Sequence, residues 1–586
     1  MSDGAEAATA GRATAWPRAW RWPGLPSLEE EQVFLVLAIL VGTFAGLAVV
    51  WFRVSIEWAR VLLLGSALQP GWPTVVLVPA LSGLLVSVLM ATLFPRIRTS
   101  GVAYTKAAVY IYDGHIPFGT VIGKFVGCSL SIGGGHSLGP EDPSLQIGAG
   151  LASAIGRRFR LSRQRLRLVA PLGAAAGLAA AFNSPITAVL FVIEEVLGTW
   201  SGAVLGAVVL SAVSSAVVAQ VFLGQDPLFH APAYTLAHPS ELLGFAALGI
   251  IGGVVGLIFT RTVLPLRARL IAAPRRWRFW QPAVAGVLVG AIGLVFPEVL
   301  GAGYHAIDQA MHDEYTWQIL AALAAAKMAA TALSFVSGTP GGMFAPTLFI
   351  GAMVGGAVGG AVRVLAPELA GSTGAYALVG MGTLFAAILR APLTSVFMIV
   401  EVSGSYSIVI PVLISNTIAY VIARRSREGA LFDAVAAQDG LMLPSMEHQR
   451  DEPLVRVEDV MRSDGAHALR ADETVAAAAA SLDGTKHHLF VRLGAGWFTL
   501  SRAQFDEAHQ RTPELPVGTM SGLIPVPAVF PDQSLENALR VMGGRPALPV
   551  VHRADPQRLE GVLALEDVLR RYQLQQPAPP SLPQEP

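Results

Sequence analysis

The stretch "GPEDPSLQIGAG", Gly139 to Gly150, returns 203 residues later as "GMFAPTLFIGAM", beginning at Gly342. The two agree at Pro143 and Pro346, Ser144 and Thr347, Leu145 and Leu348, Ile147 and Ile350, and Gly148 and Gly351. A longer pair follows in the same order: "LGAAAGLAAAFNSPITAVLFVIEE" from Leu172 and "VGMGTLFAAILRAPLTSVFMIVEV" from Val379, displaced by 207 residues and sharing Pro185/Pro392, Thr187/Thr394 and Glu194/Glu401. Two blocks repeated in order at nearly one displacement divide this part of the chain into two related halves. Between the blocks the first half carries Arg157, Arg158, Arg160, Arg163, Arg165 and Arg167, whereas the second has only Arg363 and Glu368. Arginine-rich connections stay in the cytoplasm, so equivalent loops are expected on opposite faces of a membrane and the halves in inverted orientation.

The composition requires a membrane. Of 586 residues 53% are apolar and only 14% charged, and mean hydropathy is +0.54, far outside the range of soluble proteins this long. Apolar windows near spanning length recur at about Val33–Trp51, Val75–Phe94, Val204–Phe222, Leu242–Phe259, Ala283–Phe296 and Ile319–Phe335, predicting a polytopic helical bundle. Sixty glycines suit closely packed helices and helices that stop partway across the bilayer. Lysine plus arginine equals the acids, 41 against 41, so no net charge argues for nucleic acid. The lone cysteine, Cys128, excludes internal disulfides and cysteine metal cages. No metal and no cofactor is expected. Residues 1–30 lack an apolar core with a small-residue cleavage site and are expected to be a cytoplasmic N-terminal segment.

A transmembrane domain of two inverted repeats is expected over 31–425, and a linker containing one last helix over 426–454. From 455 to 574 the chain turns polar, and "VEDVMRSDGAHALRADETVAAAAASL" (Val457–Leu482) and "VGTMSGLIPVPAVFPDQSLENALRVM" (Val517–Met542) share an order. Each runs from a methionine-bearing turn through an apolar strand and an acid to a hydroxyl cap, Asp472 with Thr474 and Asp532 with Ser534, and then a helix. The order resembles tandem CBS modules in a soluble α/β unit. The proline- and glutamine-rich 575–586 tail is expected to be disordered.

A helix N-terminus exposes unpaired N–H groups and about half a positive charge, so within a membrane it attracts an anion without any lysine or arginine. Gly342–Pro346 fits such a terminus, with the N–H groups of Met343 and Phe344 directed at the ligand. At the matching place the first half puts Glu141, which is either an anion competing with the transported one and released by protonation, or an acid favoured by the helix dipole at a wetted loop.

With "SGVA" (Ser100–Ala103), "GPEDP" (Gly139–Pro143), "GGMFAP" (Gly341–Pro346) and "AAFNSPITAVLFVIEE" (Ala180–Glu195), the chain resembles the CLC family of chloride channels and chloride/proton exchangers. The resemblance implies chloride/proton exchange, with Glu141 the outer gating and proton-accepting group and Glu195 an inner proton-transfer group; a pH-gated chloride channel or an uncoupled carrier is the alternative. It implies that Ser100 offers a hydroxyl, and Gly342, Met343 and Phe344 a backbone seat, to a central anion. It also implies a homodimer in the cell membrane, each subunit with its own pathway and both termini cytoplasmic. For Ser100 a helix cap, and for Glu194 and Glu195 a carboxylate pair at the membrane boundary, are the plainer readings.

Three departures from the family pattern bear on chemistry. Pro140 and Asp142 replace an arginine and a glycine beside Glu141, removing an N–H donor and a positive charge and adding a second acid, which is expected to repel the first. Phe432 stands where the family has a tyrosine hydroxyl. Lys106 stands where acids are common. In the tail, Thr499 is followed by Arg502, and Asp567 is preceded by Ala564, so neither copy has both the hydroxyl and the aspartate that hold a ribose, and adenine nucleotide is not expected to bind. Two features support rival readings. "GHSLG" (Gly135–Gly139) matches a nucleophile elbow with Ser137 as nucleophile, and membrane carboxylates with a CBS pair suit a divalent-cation transporter.

Overall fold

The computed structural model describes residues 30–573 except 66–70, 160, 162, 199–201, 232–233, 235–237, 368–370, 426–428, 442, 445–454, 464–465, 483–487, 495 and 554. The expected N-terminal segment (apart from Glu30), the 575–586 tail, Glu368 and parts of the 426–454 linker lie outside the described residues. The chain forms two compact units, Met1–Arg450 and Asp451–Pro586.

Among the described residues of the first unit the repeats become two runs of eight helices. The first run is α1 (Glu30–Leu64), α2 (Trp72–Thr92), α3 (Gly101–Tyr110), α4 (Phe118–Gly133), α5 (Glu141–Arg158), α6 (Arg163–Phe182), α7 (Pro185–Phe191) and α8 (Gly202–Leu223). The second is α9 (Glu241–Ala272), α10 (Arg275–Gly293), α11 (Tyr304–Met311), α12 (Trp317–Val336), α13 (Phe344–Leu365), α14 (Thr373–Leu389), α15 (Pro392–Ser403) and α16 (Val409–Arg424), after which α17 (Leu431–Gln438) follows. Among the described residues seven of these helices are long and apolar enough to cross a membrane. Others are short: α3, α7, α11 and α15 have 10, 7, 8 and 12 residues. Each repeated block is a tight hairpin: a Cβ on Gly148 of α5 would strike the carbonyl of Gly173 in α6, and one on Gly351 of α13 that of Gly380 in α14, so glycine lets these backbones touch.

The halves meet about a pseudo-two-fold relation visible in reciprocal contacts. Gly139 and Gly342 exchange N–H···O bonds of 2.8 Å each way. Glu194 accepts from the N–H (2.9 Å) and hydroxyl (2.6 Å) of Thr394 at the start of α15, and Glu401 accepts from the N–H (2.7 Å) and hydroxyl (2.6 Å) of Thr187 at the start of α7. Both helices begin with proline at the first position, which has no N–H to satisfy there, and each borrows its cap from the other half.

The second unit repeats one order twice: β1 (Ala466–Arg470), α18 (Val475–Ser481), β2 (His488–Leu493), β3 (Gly496–Leu500) and α19 (Arg502–Arg511), then β4 (Ile524–Val526), α20 (Leu535–Met542), β5 (Ala547–His552), β6 (Asp555–Ala564) and α21 (Leu565–Gln573). The expected caps form: Thr474 accepts from Ala477 N–H and Ser534 from Asn537 N–H. The copies are not independent. β4 closes the β1-β2-β3-β4 sheet, Val517 and Met520 complete the core around Leu469 and Leu489, and Val457 and Val460 complete the core around Leu548 and Val562.

Candidate functional site

Helices that begin inside a packed bundle leave their first N–H groups without intrahelical acceptors, and the structure brings three such N-termini together. α5 and α13 start on either side of the Gly139–Gly342 pair, and the first turn of α3 packs against that of α5. A Cβ on Gly342 would stand 2.8 Å from the Cβ of Asp142, so glycine is what permits the approach.

Glu141, the first residue of α5, is wholly buried. Its Oε2 accepts a 3.3 Å bond from Ala345 N–H in the first turn of α13, and its Oε1 accepts the hydroxyl of Tyr304, the first residue of α11. A carboxylate therefore lies on the N-terminus of α13 as an anion would. Arg53 of α1 lines a cavity of about 200 Å³ with Asn183 and Asp226.

Three of the expected site residues are used differently from the expectation. Gly342 donates its N–H to Gly139, not to an anion, because the halves pair through it; Met343 and Phe344 remain as first-turn donors. Ser100 is the N-cap residue of α3, but its hydroxyl donates to Asp142 Oδ1 at 2.9 Å, so it serves a resident carboxylate. Asp142 does not crowd Glu141, because the two side chains turn to different helices. Asp142 takes Gly101 N–H (2.8 Å) and Val102 N–H (2.9 Å) at α3. Pro140 caps α5 through its carbonyl, which accepts the N–H (2.9 Å) and hydroxyl (2.8 Å) of Ser144.

Phe432 brings a ring where a hydroxyl was looked for. Its centroid lies 5.6 Å from that of Phe344 and 6.5 Å from that of Phe191, within an aromatic group that also includes Phe182 and Phe385. Lys106 acquires a place: its Nζ lies 3.2 Å from Glu195 Oε1 and 2.6 Å from Asp433 Oδ1, and all three side chains are buried or nearly so. Glu195 belongs to a π-helical turn, Val192–Leu197, that continues α7, and Asp433 to the first turn of α17.

Tyr304 and Asp433 are the residues that sequence reasoning missed. Asp433 adjoins Phe432, and an acid beside that position was the available signal. Tyr304 has no motif around it, but it stands 203 residues after Gly101, the displacement of the repeat. Ser137 does not form a nucleophile elbow: its Oγ pairs with the Thr331 hydroxyl at 3.0 Å, between helices rather than on a strand-to-helix turn.

A family model described as voltage gated chloride channel matches residues 82–424, and a CBS domain model matches 520–574. The chain is 32% identical over 435 residues to a ClcB-like chloride channel protein of Ralstonia nicotianae, covering 70% of this chain and 99% of that one. It is 30% identical over 417 residues to the H(+)/Cl(-) exchange transporter ClcA of Salmonella arizonae, covering 69% and 88%. Among solved structures, a slow cyanobacterial Cl-/H+ antiporter superposes with a TM-score of 0.64 at 26% identity over 70% of this chain and 99% of that chain. A eukaryotic CLC transporter does so with a TM-score of 0.60 over 91% and 97%, at 23% identity, a likeness of fold.

Proposed function

Because the chain belongs to the voltage-gated chloride channel family, as a multi-pass membrane protein with a C-terminal CBS pair, we propose that it carries chloride across the membrane in exchange for protons, with Glu141 as gate and proton acceptor. The observation that carries this reading is the buried Glu141 carboxylate on the first turn of α13. A carboxylate and a chloride cannot share one helix terminus. Protonation removes the charge that holds the carboxylate there, so the neutral side chain leaves and chloride takes the N–H groups. One group thereby couples anion occupancy to proton binding. Chloride at the centre is held by the N–H groups of Met343 and Phe344, with the ring of Phe432 alongside. The family resemblance further supports two such subunits per molecule, each with its own pathway. The arginines at the end of α5 favour a cytoplasmic location for that end and for both termini.

A second reading, a pH-gated channel or uncoupled carrier, is favoured by one observation. Glu195 is already paired with Lys106, so the inner group is held as an anion by its own counter-ion. Chloride efflux from liposomes containing the purified protein, with external pH recorded and Glu141→Gln run alongside, decides between them. The expected result is chloride-driven uphill proton movement that Glu141→Gln abolishes. Chloride flux without proton movement establishes the channel or carrier, and absence of chloride flux overturns both.

A further inference from the structure

The first turn of α5 sends two carboxylates to two different helix termini, and the proposed function uses only one. Asp142, 1% exposed, receives three hydrogen bonds from the opening of α3: the Ser100 hydroxyl and Val102 N–H at 2.9 Å each on Oδ1, and Gly101 N–H at 2.8 Å on Oδ2. A hydroxyl and two first-turn N–H groups are the donors with which a helix terminus holds a free anion. Two wholly buried polar side chains without partners lie one turn from the same place. Gln146, one turn further along α5, is wholly buried, and neither its amide nitrogen nor its oxygen has a partner. Its Cβ would stand 3.1 Å from a Cβ built on Gly101. Thr105, one turn further along α3, is equally buried and its hydroxyl equally unpartnered. Buried polar groups left unpaired inside a membrane protein are costly, and their presence fits a space that water or an ion enters.

We propose that Asp142 is a tethered anion that fills the α3 terminus and competes there with the transported one, so that Ser100 meets a mobile anion only when Asp142 swings away. This rests on the chloride reading above. The consequence is an apparent chloride affinity reduced by the fraction of time the terminus stands open. Were it open a tenth of the time or less, binding there would be weakened about tenfold or more. Asp142 then sets the anion affinity of this terminus: a site already holding a charge admits a second anion poorly, and a site freed of it admits one readily.

The test is chloride binding by calorimetry on the full-length detergent-solubilised protein, with liposome efflux on the same preparations, for the native chain, Asp142→Gly, Asp142→Asn, Ser100→Ala and the Asp142→Gly/Ser100→Ala pair. Asp142→Gly is expected to bind chloride about tenfold tighter or more, and Ser100→Ala to weaken binding far more in the Asp142→Gly background than in the native one. Asp142→Asn keeps the volume and drops the charge, so it gives the same direction of change if the glycine variant does not fold. Chloride affinity unchanged or weaker in both Asp142 variants, or an equal effect of Ser100→Ala in both backgrounds, overturns the proposal. Failure of the chloride reading looks different: neither the native protein nor any variant then carries chloride.

Discussion

Tyr304 donates its hydroxyl to Glu141, and a hydrogen bond to a charged acceptor contributes about 1.5–3 kcal/mol. The Glu141 carboxylate is therefore held by more than the N-terminus of α13. Tyr304→Phe removes the donor while keeping the ring, which packs 5.9 Å from Phe229. The expected outcome is a shift of roughly ten- to a hundredfold toward the unseated gate, read as faster chloride efflux at neutral pH; unchanged or slower efflux would show that the hydroxyl does not hold the gate. What was legible in the sequence at this scale is Glu141 as the candidate gate, because "GPEDP" carries it within five residues. The partners were not legible. Tyr304 is 163 residues from Glu141, and Ser100 is 42 from Asp142, so both contacts exist only once α3, α5 and α11 have packed. The sequence reading also placed two adjacent acids in mutual repulsion, whereas a helix turn separates consecutive side chains by about 100° and lets each find its own terminus.

Between elements, charges inside the bundle act as fasteners. Lys106 joins α3 to the π-turn after α7 and to α17 through Glu195 and Asp433. Removing one partner of a buried ion pair leaves uncompensated charge and costs about 3–5 kcal/mol. Lys106→Met is expected to lower the thermal midpoint of the solubilised protein sharply, and adding Glu195→Gln and Asp433→Asn to recover most of the loss. A triple variant no more stable than Lys106→Met would mean that the lysine acts by packing alone. The reciprocal caps are weaker fasteners. Glu194→Ala and Glu401→Ala each strip a helix terminus of its acceptor, at about 1–2 kcal/mol for the cap, and the two should destabilise to a similar extent because their geometry is the same in both halves. Calorimetric midpoints that differ widely between them would break that equivalence. The sequence repeat had already paired Glu194 with Glu401, but not what each touches: a repeat reports equivalence within the halves, while these contacts run across them.

For the whole molecule, the division into an apolar body and a polar tail was legible at the composition break, whereas the exchange of segments between the CBS copies was not. Val457 and Val460 open the first copy yet pack with the second, and Val517 and Met520 open the second yet pack with the first. A linear pattern assigns each segment to the copy it adjoins, and only tertiary packing reassigns it. The exchange makes the tail one folding unit and bears on nucleotide binding. Asp567, the acid that would hold a ribose, is only 9% exposed, and its Oδ2 lies 2.8 Å from Nε of Arg462, a residue of the segment that leads into the first copy. The neighbouring Glu566 takes the same guanidinium at 2.7 Å. A ribose would have to displace this pair with no hydroxyl at Ala564 to help it. A ligand present at a hundred times its Kd stabilises a protein by about 2.7 kcal/mol, so millimolar ATP added to the full-length protein is a sensitive probe. The unfolding midpoint of the tail is expected not to move. A rise that Asp567→Asn abolishes would show that the second copy binds nucleotide despite its occupied aspartate.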